Sequence, residues 1–385
     1  MRILTVIQHF YPALAGAEKF GQALAEAFRA EGHESMVVTG RWERSWKRQE
    51  TINGLTVYRH SVWWLGGKRE RRFAGISYML MLFLFLIRHR SAYDVILVHQ
   101  AQKSAFVSAL AGRLLRKPVA VIVHCAGRFG DLQVMRSSEY GFYTRYMIDA
   151  IKKSDAFVAI CTDIKTELEA EGFHRVHMIH DGIVPWKAAE RRDYSSATRL
   201  VTLARLHPQK GMDILIRGLA LLPGSRSWTL ELCGEGPERE RLEALAAQCG
   251  LSRRIMFRGL VRNVEEVLDR SDIFVLPSRG EGMGVALLEA MYAGLPCIVT
   301  RVSGFVDIVT HNVNGYLVEP EDPAAVAAAL DHMMEDEHLR RRLGTAGRST
   351  ICEHFTLDST ARQYLTLLET LVKDAHGHRG GPHEA

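Results

Sequence analysis

The sequence predicts an α/β protein of two doubly wound parallel-sheet domains that face each other across a cleft. Three observations predict it. Short apolar runs alternate with helical stretches almost throughout. The alternation breaks once, at a polar segment over 184–198, and then restarts. The length of 385 residues suits two cores of roughly 150–200 residues each better than one. Apolar runs bounded by helices read as parallel strands buried on both faces.

In the first series, ILTVI (3–7) leads through a loop into a helical pattern over Glu18–Glu31. SMVVTG (35–40), DVILVH (94–99), VAVIVH (119–124), AFVAI (156–160) and VHMIH (176–180) follow as strands. The second series runs through RLVTLA (199–204), WTLELCG (228–234), IMFRG (255–259), DIFVLPS (272–278), LPCIVT (295–300) and GYLVE (315–319). The expected layout is a first domain over 1–183, a linker over 184–198 and a second domain over 199–355. A helix over 356–374 that can pack back on the first domain and a frayed tail over 375–385 complete it. In doubly wound sheets ligands bind beyond the carboxyl ends of the strands, so the cleft is the expected site.

Charge is uneven. Residues 1–183 hold 25 Lys and Arg against 17 Asp and Glu, a net of +8; the rest hold 24 against 27, a net of −3. The first half therefore suits an anionic partner: a membrane surface, a phosphorylated acceptor or, last for want of any nucleic-acid motif, nucleic acid. The six cysteines form no CxxC or zinc spacing and the chain starts directly on a strand, which reads as a reduced, cytosolic protein. GISYMLMLFLFLI (75–87) is almost wholly apolar. KRERR (68–72), RHR (88–90), Trp63 and Trp64 flank it. It is too short to span a bilayer, which takes about 20 residues. It reads as a buried helix, with an interfacial helix on an anionic membrane as the alternative.

The stretch SRGEGMGVALLEAMYAGLPCIVT (278–300) is the richest in chemistry. Gly280, Gly282 and Gly284 open a helix after a strand, and bare amides at a helix start hold anions. Glu281 falls in the loop and Glu289 inside the helix, and carboxylates accept hydrogen bonds from sugar hydroxyls. In LARLHPQKGMDILI (203–216), Arg205 and Lys210 follow a strand end and suit a diphosphate. Alone, each stretch also reads as an ordinary loop with solvated charges.

Together the two stretches resemble the retaining glycosyltransferases of family 4, which have the GT-B fold of two Rossmann-like domains. Arg205 and Lys210 match the family's R-x4-K pattern; Glu281 and Glu289 match its E-x7-E pattern. CGEGPERERLE (233–243), IMFRGLV (255–261), VIVHCAG (121–127) and IHDGIV (179–184) resemble further family segments, with Asp181 where the family usually has Asn. FYPALAGAEKF (10–20) resembles the family's Gly-Gly-Ala-Glu loop, with Ala15 in place of the first glycine and Gly16 keeping the second.

The resemblance implies roles. Arg205 and Lys210 neutralise the leaving diphosphate, helped by amides near Gly282, Met283, Gly284 and Val285. Glu289 binds the ribose, Glu281 the donor sugar, Val261 flanks the base, Gly16 and Gly234 line the donor site, and His124 approaches the reacting sugar. The co-substrate is a nucleoside-diphosphate sugar, with no other cofactor. The chain has no D-x-D, which fits metal-independent transfer. The acceptor is expected to be a glycan or lipid-linked glycan; the basic clusters near 41–48 and 68–72 and the apolar run favour surface polysaccharide or lipopolysaccharide assembly at the inner face of the cytoplasmic membrane, and a soluble sugar stays open as acceptor. A GT-B sugar-nucleotide epimerase and a non-catalytic nucleotide-sugar-binding subunit stay open as alternatives.

Overall fold

The computed structural model describes all residues except 12–15, 64–69, 126, 128–129, 138–142, 189–196 and 378–385, and no side chains of 70–72 or 377. Ala15, Trp64, Lys68 and the His-rich tail thus lie outside the described residues. The chain divides into two compact units, Met1–Asp181 with Leu357–Ala385, and Gly182–Thr356.

The first unit contains β1 (Arg2–Val6), α1 (Gly16–Ala30), β2 (Glu34–Arg41), β3 (Gln49–Ile52), β4 (Leu55–Ser61), α2 (Glu70–Arg88), β5 (Val95–His99) and α3 (Lys103–Leu115). It continues with β6 (Val119–Val123), α4 (Asp131–Arg136), α5 (Tyr143–Ile151), β7 (Ala156–Ala159), α6 (Thr162–Ala170) and β8 (Val176–Met178). Its sheet has the order β3-β4-β2-β1-β5-β6-β7-β8. Strands β5, β6 and β7 are buried at every position, as runs covered on both faces must be.

One feature departs from the sequence reading, which has no strand between Gly40 and Asp94. Here β3 and β4 form an antiparallel hairpin with Ile52 opposite Leu55. Asn53 and Gly54 make its two-residue turn, both at positive φ (48° and 80°), as a twist-matched tight turn requires.

The second unit contains β9 (Thr198–Leu203), α7 (Met212–Ala220), β10 (Trp228–Cys233), α8 (Arg239–Gln248), β11 (Ile255–Gly259), α9 (Val264–Asp269) and β12 (Ile273–Leu276). Then come α10 (Val285–Tyr292), β13 (Cys297–Thr300), α11 (Phe305–Ile308), β14 (Tyr316–Val318), α12 (Pro323–Glu335) and α13 (Glu337–His354). Its wholly parallel sheet has the order β11-β10-β9-β12-β13-β14. The order reverses between β9 and β12, which makes the carboxyl end of that pair the topological switch point.

The last helix, α14 (Leu357–Gly377), belongs to the first unit, where it packs on α1. The first unit stops at Asp181, not at residue 183, because Ile183 donates its amide to Phe355 O and bridges Thr356 in the second unit. The helix runs to Gly377, past the expected end at 374.

Candidate active site at two strand switch points

In the second unit the loops after β9 and β12 are bolted together. A 3-10 turn at Pro208–Lys210 follows β9, and its start is held by the Gln209 amide donating to His207 Nδ1. Gln209 then receives the Arg279 amide on its backbone oxygen at 2.7 Å and donates its side-chain amide to Gly280 O at 2.8 Å. The Arg279 guanidinium grips both Asp213 oxygens at 2.9 Å and also Pro208 O and Glu321. These carboxylates push its pKa further above the ordinary arginine value. Gly211 permits the approach: a Cβ there would lie 1.9 Å from Pro277 O.

On this frame Lys210 Nζ sits 2.6 Å from Glu281 Oε1, and Ser278 Oγ donates to the same oxygen at 2.7 Å. Ser278 is fully buried, and its carbonyl accepts from Thr300 Oγ1 at 2.5 Å. Glu281 is only 6% exposed. A carboxylate this dry is tolerable only when paired and hydrogen-bonded. The Lys210 ammonium carries three protons and this pair takes one, so donors remain for a ligand.

Arg205 differs. It is exposed, and among the described residues its guanidinium holds no hydrogen bond or ion pair. Gly282 is half-buried and Met283 buried in the turn that leads to α10. Gly284 sits at φ 74° before Val285, without any side-chain cap, and a Cβ on it would come 2.3 Å from the Phe305 ring. Gly284 therefore offers no side-chain acceptor to the first amides of α10, which lie at the positive end of the helix dipole. Glu289 lies on the second turn of α10, half-buried. Gly234 follows β10 and donates to Gly259 O, and Val261 is half-buried just beyond β11. All these residues share the carboxyl edge of one sheet. Bonds join Lys210, Glu281, Ser278, Gln209, Gly280 and Arg279; Arg205 stands outside that network.

In the first unit the sheet order reverses between β1 and β5. His99 ends β5 and His124 follows β6. Their rings stack at 5.3 Å, with His99 Nδ1 3.1 Å from His124 Nε2. Asp131, at the start of α4, gathers the amides of Ala101 (3.2 Å) and His124 (3.1 Å), tying the two strand ends together. Burial lowers the His124 pKa to about 4, lowers that of His99 well below the usual range, and raises that of Asp131 to about 6. Both rings are thus neutral at pH 7. His99 Nε2 is buried without a partner. Orphaned buried donors are rarer than orphaned acceptors, so the His99 proton belongs on Nδ1. His99 then donates to His124 Nε2 and leaves His124 with its proton on Nδ1. Gly16 starts α1, exposed, and a Cβ there would meet nothing within 4 Å.

Sequence reasoning missed Gln209, Ser278, Arg279, His99 and Asp131. One signal was present: DVILVH and VAVIVH are neighbouring buried strands that both end in histidine.

Comparison with known proteins agrees with this architecture. The model "Glycosyltransferase Family 4" matches residues 14–186, and "Glycosyl transferases group 1" matches residues 188–350. The lipopolysaccharide core biosynthesis glycosyltransferase LpsD of Rhizobium meliloti is 28% identical over 92% of this chain and 95% of its own. The N-acetyl-alpha-D-glucosaminyl L-malate synthase of Bacillus anthracis is 24% identical over 94% and 96%. Among solved structures, Anabaena Alr3699/HepE in complex with UDP and glucose superposes with a TM-score of 0.78 at 20% identity, over 96% of this chain and 100% of that one. Two parallel-sheet units, a motif-bearing switch point in the second and family matches that tile nearly the whole length lead to one conclusion: the chain belongs to glycosyltransferase family 4, with the GT-B fold.

Proposed function

We propose that this glycosyltransferase moves a sugar from a nucleoside-diphosphate sugar to a glycan or lipid-linked acceptor, with retention of anomeric configuration and without a metal ion. The observation that carries this is the buried Lys210–Glu281 pair beside the uncapped start of α10. As a phosphate–sugar bond breaks, negative charge gathers on the leaving diphosphate. Lys210, Arg205 and the amides from Gly282 to Val285 stabilise that charge. Glu281, fixed by Lys210 and Ser278, offers its other oxygen to donor-sugar hydroxyls. Glu289 takes the ribose, and Gly234 and Val261 border the nucleotide. In the first unit, His124 is the donor proposed for a sugar oxygen, through Nδ1–H, and Gly16 a proposed lining residue. The leaving phosphate oxygen accepts the acceptor's hydroxyl proton on the face the diphosphate vacates.

The relation to LpsD, named for lipopolysaccharide core biosynthesis, supports a glycan acceptor in surface-polysaccharide assembly. The relation to the malate synthase supports a second reading, a small hydroxy-acid acceptor. A panel of donors and acceptors decides between them. The expected result is transfer to a glycan, an α- or β-linkage matching that of the donor by NMR, and turnover unchanged by EDTA. Transfer to malate alone, inversion or loss of activity on chelation would each overturn the corresponding part.

A further inference from the structure

We propose that the outward side of the helical layer α2–α3–α5 docks flat on an anionic lipid bilayer. This deepens the lipid-linked-acceptor reading and gives the first unit's charge a purpose.

The three helices cover one face of the sheet, α2 packing on α3 and α3 on α5. The apolar run forming α2 is not simply core. Tyr78, Leu82 and Leu86 are fully buried, but Phe73, Ile76, Leu80 and Leu84 are 49–68% exposed. Their spacing of three and four residues lines them along one side of a helix of 19 residues, about 28 Å long. Leu114 on α3 and Tyr143 and Tyr146 on α5 are also nearly two-thirds exposed. A row of large apolar side chains left in water marks an interaction surface.

Charge selects the occupant. From Phe73 to Lys117 the chain carries six Lys and Arg and a single acid, Asp94, which is already bonded to Arg2, and α5 adds exposed Arg145 and Asp149, which offset each other. The exposed cations collect where these helices end: Arg88 at the end of α2 and Arg90 just after it, Arg113 and Arg116 at the end of α3, Lys153 beyond α5. A second copy docked through the same face would bring no acidic cluster to balance these cations. An acidic polymer would explain the cations but not the apolar row. A bilayer with anionic headgroups satisfies both, with apolar side chains and tyrosines at the headgroup–acyl boundary and the cations along the edge where the helices end. Among the described residues no helix is long and apolar enough to cross a membrane, so the row lies in the interface plane.

The test is flotation of the full-length protein with vesicles that contain no acceptor, so it does not depend on which acceptor is used. The protein should float with phosphatidylglycerol-containing vesicles and stay behind with pure phosphatidylcholine. Leu80→Glu/Leu84→Glu should reduce flotation about tenfold or more, and Arg88→Glu/Arg113→Glu should reduce it and remove its salt sensitivity. Both double variants should keep wild-type nucleoside-diphosphate binding, which shows that they fold. Failure of the wild type to float, equal flotation of the Leu80→Glu/Leu84→Glu variant, or a wild-type dimer in sedimentation that the leucine variant alone dissolves would overturn the proposal. Loss of activity on lipid-linked glycans with flotation intact would instead overturn the acceptor reading.

Discussion

The two units share a frame and differ at one edge. Each begins with a strand whose arginine is clamped by an aspartate across the switch point: Arg2 with Asp94 at 2.6 Å, and Arg199 with Asp272 at 2.7 Å. In both pairs the aspartate also accepts the arginine's own backbone amide. The opposite, carboxyl edges are chemically unlike. The second unit carries an ion pair, Lys210 with Glu281, which Ser278 also holds. The first carries neutral rings, His99 and His124, over a buried aspartate. One frame can thus present ionic groups suited to a diphosphate and uncharged donors suited to an unionised sugar, because loops and not strands set the chemistry.

The largest effect that tests this contrast is expected at the ionic edge. Lys210→Met removes the partner of a buried carboxylate and should cost about 3 kcal/mol of stability and lower kcat at least ~100-fold. Lys210→Met/Glu281→Gln should recover most of the stability and none of the activity. Chemical denaturation beside turnover checks both. Recovery of activity in the double variant would mean that the pair is structural.

At the neutral edge the expected loss is smaller. His99→Leu should lower kcat about tenfold and release His124 from its fixed tautomer, whereas His99→Asn, which keeps a donor in place of Nδ1, should restore both. Nitrogen-15 NMR of the imidazoles reads the tautomer directly. A wild-type His124 carrying its proton on Nε2 would break the assignment.

A third, pH-dependent effect belongs to the first unit alone. Asp181 is buried with Oδ1 unpartnered, and burial raises its pKa to about 7. A free aspartate loses its proton near the ordinary value of 3.8. Between those values the folded state holds a proton that the unfolded chain has lost, so this residue's contribution to stability falls as pH rises from about 4 to about 7. Asp181→Asn should therefore raise Tm by about 5 °C at pH 8, and the gain should vanish near pH 4. A gain independent of pH would rule out the carboxylate as its source.

Legibility followed the same division. Strands such as β5, β6 and β12 could be read because both-face burial demands unbroken apolar runs. The β3–β4 hairpin escaped notice although Asn53-Gly54 marks it, since Gln49–Ile52 is only half-buried and shows no apolar run. At the candidate site, Arg205, Lys210, Glu281 and Glu289 stood out in the sequence because they resemble the family's R-x4-K and E-x7-E patterns. Arg279, Gln209 and Asp131 were not: they work by joining loops far apart in sequence, and no spacing announces that. The same limit applied to 75–87, where the run was visible but only the fold separates buried Tyr78 and Leu82 from exposed Ile76 and Leu84.

The proposed pyrophosphate site consists of Lys210, Arg205 and the first amides of α10. Calorimetric titration of the full-length protein with UDP, GDP and ADP, and with the matching monophosphates, tests it most directly. At least one diphosphate should bind, about tenfold or more tighter than its monophosphate, and Arg205→Ala should weaken that binding about tenfold without changing Tm, because the side chain is exposed and bonds no other described residue. Equal affinity for the mono- and diphosphate, or undiminished diphosphate binding in both Arg205→Ala and Lys210→Met, would contradict the account.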